Sequence, residues 1–373
     1  MADDALRVAV IGHTGRGDWG HAIDELWMDV DGTTIVAAAD ADDAGLVAAG
    51  KRHSLAQDAT FRDWKELFTK AKPDIVAICS RYLDGHAEMA IAAAEAGARG
   101  IFIEKPFVAT PAEADAVIAA CEKNGTKLQV AMVNRHAATI GAVRDLVEDG
   151  KIGKLLELRA RGKEDARGGG QDLVVLGCHV LDLMTSFGGA PQWCQATATV
   201  GGRLITKADA VDGPEGIGLI AGDSIAAMFG LADGPVGYFA STREAGLKQP
   251  AFGLTLVGSA GAIHIRPDHV PQAFIRRGPL WRTDKEIPWQ PIGPEGIMAT
   301  ATPLSDAERS VERASWGRRA VADLLDAIQN DREPETGMYA GRTIVEMNAA
   351  IFASALSGQR ITWPLAQRAN PLS

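Results

Sequence analysis

Cysteine is scarce in this chain and regularly spaced nowhere. Its four cysteines, Cys79, Cys121, Cys178 and Cys194, form no C-x-x-C pair, which argues against a zinc site and a disulfide framework and suits a reducing compartment. Long apolar runs are missing as well. No stretch reaches membrane-spanning length, and the start MADDALRVAVIG has no basic segment leading into an apolar one, so the expected location is the cytoplasm, with no membrane partner. Positive charge is in deficit. A formal net charge of −10 opposes a nucleic-acid partner, which requires a basic face. What remains is a 373-residue chain, 46% apolar and 23% charged, long enough for a large core divided between two domains.

The N-terminal third alternates between strand and helix patterns. Leu6–Ile11 reads as a buried strand, followed by the glycine-rich turn Gly12–Gly20 containing G-x-G-x-x-G at Gly15, Gly17 and Gly20. Glycines at such a turn let backbone N–H groups approach a pyrophosphate at a helix N-terminus. His21–Met28 has helix-like apolar spacing, and Thr34–Ala39 is a second strand ending at Asp40. An acid there accepts from the ribose hydroxyls of NAD and repels a 2′-phosphate; its other reading is a plain helix N-cap. Ala41 and Asp42 follow it, with no arginine, which favours NAD over NADP. Strands at 73–79, 101–103 and 127–133, with helices at 64–70, 86–96 and 111–124, complete a parallel, doubly wound α/β sheet. The strand Ile101–Ile103 runs into Glu104-Lys105-Pro106, which aims an amine at the crevice beyond the strand ends.

The boundary is expected near residue 135, giving an NAD-binding domain over 1–135 and an α+β domain with a large antiparallel sheet over 136–373. Strand-like runs at 155–162, 193–200, 224–229, 236–241, 252–257 and 262–266 build that sheet, and helices at 313–329 and 341–357 close the chain, the last expected to pack on the first domain. Asp172–Phe187 reads as one helix bearing His179. On it Asp172, seven residues earlier, shares the histidine's face, and Asp182 lies on a neighbouring one. Flanking carboxylates set a histidine's tautomer and pKa for proton transfer. Gly168-Gly169-Gly170, just before, would let a substrate approach. Arg159, Arg161, Lys163 and Arg167 gather cations in a short acidic-chain segment. They read either as a solvated strand end balanced by Glu164 and Asp165, or as a subsite for an anionic group held by Lys163 or Arg167.

Taken in order, the glycine-rich turn, Asp40, Glu104-Lys105-Pro106, Gly177-x-His179-x-x-Asp182, Gly258-Ser259-Ala260-Gly261 and Trp363-Pro364-Leu365 make the chain resemble the glucose–fructose oxidoreductase/inositol dehydrogenase (Gfo/Idh/MocA) family. The resemblance implies a Rossmann domain followed by an antiparallel α+β domain, in a homodimer or homotetramer that oxidises a secondary hydroxyl of a sugar, polyol or glycoside with NAD. It implies that Lys105 contacts the reacting hydroxyl and the nicotinamide ribose, and that His179 is the general base. Many family members carry an aspartate four residues before that histidine; here Val175 stands there, so either Asp172, one turn earlier, takes over as orienting or relay partner, or Lys105 and His179 work without a carboxylate. The expected cofactor set is Gly12, Thr14, Gly15, Arg16, Gly17, Asp40, Ser80, Glu104 and Lys105. The substrate set is Lys105, Lys163, Arg167, Asp172 and His179, with no metal. Two other readings accompany the dehydrogenase: a glycosidase or lyase in which NAD oxidises the substrate transiently, and a non-enzymatic NAD-dependent regulator.

Overall fold

The computed structural model describes residues 5–28, 30–249, 251–282, 286–300 and 304–373, and strands and helices are counted among these. The chain divides into two compact units. The first comprises residues 1–133, 213–218 and 317–345; the second comprises 134–212, 219–316 and 346–373.

In the first unit, β1 (Leu6–Ile11), β2 (Thr33–Ala39), β3 (Thr60–Phe61), β4 (Ile75–Ile78), β5 (Gly100–Ile103) and β6 (Lys127–Val130) form one parallel sheet in the order β3-β2-β1-β4-β5-β6. Strand order reverses between β1 and β4, which is where a doubly wound sheet opens its ligand crevice. The helices are α1 (Asp43–Arg52), α2 (Trp64–Ala71), α3 (His86–Glu95) and α4 (Pro111–Asn124). Sequence chemistry sets their ends: Thr110 and Glu113 form a reciprocal capping box at α4, and Gly125 ends it at φ 68°. Val8, Val10, Ile75, Ala77 and Phe102 build the core with Val321 and Leu324, and Trp27 meets Phe102 edge-on at 5.8 Å.

The helix expected over His21–Met28 is absent. The segment is a series of turns ending in one 3-10 turn, Glu25–Trp27. Asp18, Gly20 and Ala22 all have left-handed backbone, at φ 55°, 61° and 56°, and three such residues in five preclude a helix. A Cβ on Gly20 would lie 2.7 Å from the Cys79 carbonyl, so glycine is required there. The helix-like spacing of Trp19, Ile23 and Trp27 instead reports three side chains buried by turns.

The second unit starts with α5 (Ala138–Glu148) and β7 (Leu155–Arg161), then α6 (Gly170–Val175) and α7 (Gly177–Gly188). The following strands are β8 (Pro191–Val200), β9 (Arg203–Leu204), β10 (Val211–Asp212), β11 (Leu219–Ile220), β12 (Ser224–Leu231), β13 (Val236–Thr242), β14 (Gly253–Gly258), β15 (Gly261–Ile265), β16 (Ala273–Arg277), β17 (Gln290–Gly293), β18 (Gly296–Ile297) and β19 (Ile361–Thr362). Apart from the small β10–β11 pair, they form an 11-stranded sheet in the order β18-β17-β16-β15-β14-β7-β13-β12-β8-β19, with β9 on β8. All its pairs are antiparallel except β7–β13. Helices α8 (Asp306–Gln329) and α9 (Met338–Ser357) each contribute residues to both units.

Two expectations change here. Asp172 and His179 do not share one helix: the chain breaks at Leu176 (φ −116°, ψ −36°), and Gly177 packs against the Phe239 ring. The glycine run serves close packing rather than substrate approach. A Cβ at Gly168, Gly169 or Gly170 would come within 2.2 to 2.6 Å of backbone at Arg243, Gly222 or Ala221.

Candidate active site

At the carboxyl ends of β1, β2 and β4, the first unit encloses a cavity of about 300 Å³ whose lining includes Gly12, Arg16, Asp40 and Ser80. Asp40 is 1% exposed. Its carboxylate accepts from the Thr14 N–H at 3.0 Å, the Thr14 hydroxyl at 2.7 Å and the Asp42 N–H at 3.0 Å. Asp42 caps α1 by accepting from Gly45 N–H at 2.9 Å, so Asp40 is not a helix cap. Gly45 is glycine because a Cβ would lie 2.3 Å from the Thr14 hydroxyl.

Gly12 is equally constrained, since its Cβ would strike the Trp19 ring at 2.3 Å. Gly15 and Gly17 carry the loop through φ 81° and 83°, conformations that glycine adopts without strain. Arg16 lies 4.5 Å over the Tyr82 ring and pairs with Asp84 at 2.8 Å. The Ser80 hydroxyl is buried against the cavity with no hydrogen-bond partner among the described residues. A polar donor left open beside a buried acid and a close-approaching glycine loop fits a dinucleotide. The expected helix dipole does not contribute, because no helix follows β1; the loop N–H groups and Arg16 remain. The fold also brings to this cavity Arg62, which sequence proximity to Asp40 did not reveal and which pairs with Asp43.

Beyond β5, Glu104 is 1% and Lys105 6% exposed. Glu104 accepts from the Lys105 N–H at 2.9 Å through one oxygen and from His21 through the other. Burial by itself raises the Glu104 carboxyl; the His21 hydrogen bond and charge, with Lys105 behind them, outweigh that and hold it down at about 2. His86, fully buried, sets its ring nitrogens 2.8 Å from the Ser80 carbonyl and 3.1 Å from that of Pro106. It thereby ties the cavity wall to the Lys105 segment.

His179 sits near the start of α7 in the second unit. Its Nδ1 lies 3.1 Å from the Asn134 side-chain amide, and its ring is 6.5 Å from that of Phe252. Asp182, one turn on, pairs with Arg135 at 2.9 Å. Asp172 is fully buried and accepts from the Ser241 hydroxyl at 2.6 Å and the Glu164 N–H at 3.1 Å. It holds the segment after β7 in place.

The four cations also separate. In β7, Leu158 and Ala160 pack on the side facing α7, where Gly188 contacts Leu158 and Gly177 contacts Phe239, the register partner of Ala160. Alternation therefore sends Arg159 and Arg161 to the opposite face, away from the His179 helix. Lys163 faces Asp268 at 3.8 Å, and Arg167 pairs with Asp165 at 2.5 Å. The four cysteines are buried and form no disulfide; burial pushes the Cys121 and Cys194 thiols up to about 12. Among the described residues no group of three or more His, Cys, Asp or Glu side chains could hold a metal, and no helix is long and apolar enough to cross a membrane.

Residues 6–132 match the model of an oxidoreductase family with an NAD-binding Rossmann fold, GFO/IDH/MocA. The chain is similar to D-apiose dehydrogenase of Paraburkholderia graminis, with 27% identity over 352 residues that cover 90% of this chain and 84% of that one. It is also similar to levoglucosan dehydrogenase of Pseudarthrobacter phenanthrenivorans, at 26% over 270 residues covering 63% and 67%. Among solved structures, a levoglucosan dehydrogenase in complex with NADH and levoglucosan shares the fold with a TM-score of 0.75 at 20% identity, over 96% of this chain and 99% of that one. Residues 6–132 are thus matched by the NAD-binding Rossmann domain of the GFO/IDH/MocA oxidoreductase model, and over most of its length the chain is similar to sugar dehydrogenases.

Proposed function

We propose that the protein is an NAD-dependent dehydrogenase of a neutral sugar, polyol or glycoside, with Lys105 and His179 as its catalytic pair. One observation carries the reading. A cavity lined by Gly12, Asp40 and an open Ser80 hydroxyl is tied through His86 to the segment bearing a buried lysine. The likeness to D-apiose dehydrogenase over most of the chain supports a sugar as substrate. Charge supports a neutral one: Lys163 and Arg167 face acids, and Arg159 and Arg161 lie on the other side of the sheet. The same reading includes a cytoplasmic homodimer or homotetramer.

NAD, when bound, supplies the hydride acceptor. The residues handle the proton and the charge. As the carbinol carbon becomes a carbonyl, the hydroxyl proton passes to the imidazole of His179, and the Lys105 ammonium stabilises the oxygen while it carries negative charge. Gly12, Arg16, Asp40 and Ser80 would hold the dinucleotide.

The test is incubation with NAD and D-apiose, levoglucosan, a methyl glucoside and myo-inositol, reading NADH absorbance and products. Net NADH from one or more is expected, with Lys105→Ala and His179→Ala lowering turnover about 100-fold or more. Glycoside cleavage that requires NAD but yields no net NADH would replace the dehydrogenase with the transient-oxidation reading.

A further inference from the structure

Glu215 stands far along the chain from the residues of the dinucleotide cavity, yet it belongs to the first unit. It lies in the 3-10 turn Pro214–Gly216, between β10 and β11, with left-handed backbone at φ 63°. A non-glycine residue keeps that conformation only when its surroundings fix it. Arg81 does so: its Nε and Nη2 donate to the two Glu215 oxygens at 3.0 and 2.7 Å, a bidentate grip. The next residue, Gly216, backs onto Asp84, where a Cβ would come within 2.9 Å of the carboxylate carbon. Arg81 and Asp84 belong to the loop after β4, whose Ser80, Tyr82 and Asp84 line the cavity. Gly17 of the glycine-rich turn packs on the same loop, since its Cβ would lie 2.6 Å from Arg81 Cβ. Arg16 rests on this arrangement. Its guanidinium lies over the Tyr82 ring at 4.5 Å, and its Nη2 donates to Asp84 at 2.8 Å. Both supports come from the loop that Glu215 grips. The other guanidinium N–H groups of Arg16 have no protein partner among the described residues, so a planar cation on the cavity wall keeps donors for an oxyanion.

We infer that Glu215 is a positioning residue for Arg16: by gripping Arg81 it fixes the loop after β4, and that loop holds the Arg16 guanidinium ready for the pyrophosphate of a dinucleotide. The inference rests on the reading of this cavity as the NAD site. Holding the arginine beforehand matters because a long side chain loses rotamer freedom when it binds a phosphate, and one already ordered loses less. Charge points the same way. Asp84 and Glu215 are each matched by an arginine, so neither carboxylate leaves an unpaired negative charge beside a pyrophosphate.

The test measures NAD and ADP affinity by calorimetry on the full chain, on Arg16→Ala, on Glu215→Ala and on the two combined. ADP carries the pyrophosphate without the nicotinamide. Glu215→Ala alone is expected to weaken both ligands about 3- to 10-fold, and Arg16→Ala alone about 10-fold or more. With Arg16 already gone, Glu215→Ala should cost almost nothing further, because the side chain it positions is missing. Arg81→Met keeps the stem beside Gly17 and removes the ion pair; it should behave as Glu215→Ala does, and it serves if that variant does not fold. Equal losses with and without Arg16 would overturn the inference, since they mark a general loosening of the unit. A loss for NAD that spares ADP would overturn it too, because the effect would then lie away from the pyrophosphate. Native protein that binds neither ligand would overturn the NAD reading itself, and the inference with it.

Discussion

The Thr14 hydroxyl donates to Oδ2 of Asp40 at 2.7 Å, joining the loop after β1 to the end of β2. With the Thr14 N–H on the same carboxylate, the acid is oriented before any cofactor arrives. Asp40→Ala removes both the ribose acceptor and the anchor of this loop. Loss of a hydrogen bond to a charged group is worth about 1.5–3 kcal/mol, so NAD affinity measured by calorimetry should fall at least about 10-fold. NADP should lose less, because the acid that repels its 2′-phosphate is gone and Arg62 lines the same cavity. Thr14→Val separates the two roles: it keeps the acid, loses one anchor, and should weaken NAD by a smaller factor. Tighter binding of NADP than NAD by the native protein would contradict the assignment.

Much of this was legible in the residues, and the exceptions share a cause. The strands were readable because buried parallel strands are short, continuous apolar runs set off by glycine and proline, as in Ile75–Ile78 and Gly100–Ile103. The helix expected after β1 failed because burial at Trp19, Ile23 and Trp27 mimics helical periodicity, whereas the left-handed residues that break it include Asp18 and Ala22, which carry no such signal. Asp172 was misread for a related reason: spacing along a sequence becomes a shared face only if the helix is continuous, and Leu176 interrupts it. Arg62 and Asn134 were missed because their placement, beside the Asp40 cavity and against His179 of α7 respectively, arises from contacts between residues distant in sequence. No local pattern announces such contacts.

Glu104 links the acid stability of the first unit to its pairing with His21. Its carboxyl is held at about 2 against an ordinary 4.5. A depressed folded-state value contributes stability that is fully present above the unfolded value and disappears as pH falls through the folded one. The contribution, roughly 3 kcal/mol from the size of the displacement, should therefore be lost between about pH 4.5 and 2. Chemical denaturation of native protein and Glu104→Gln across that interval gives the readout. The native protein should be the more stable at pH 5 and its advantage should shrink toward zero by pH 2. A difference independent of pH would mean that Glu104 acts through packing alone.

Asp172, expected from the sequence as an orienting or proton-relay partner, has contacts that support a second reading as a structural anchor. With no solvent exposure, it accepts from Ser241, whose hydroxyl in turn accepts from the Gly169 N–H at 3.0 Å, and from the Glu164 N–H. These contacts fix the segment between β7 and α6, where a Cβ on Gly162 would lie 2.0 Å from the Asp172 carboxylate. Asp172→Ala leaves the Ser241 hydroxyl and the Glu164 N–H without their acceptor, at about 1–3 kcal/mol for each buried group. The expected result is a clear fall in the unfolding midpoint, with turnover per folded molecule reduced less than 10-fold. A relay would give the reverse pattern, with turnover lost about 100-fold while the unfolding midpoint stayed near the native value. Measuring NADH formation and thermal unfolding on the same preparation decides between the two, because only an anchor couples its loss to stability first.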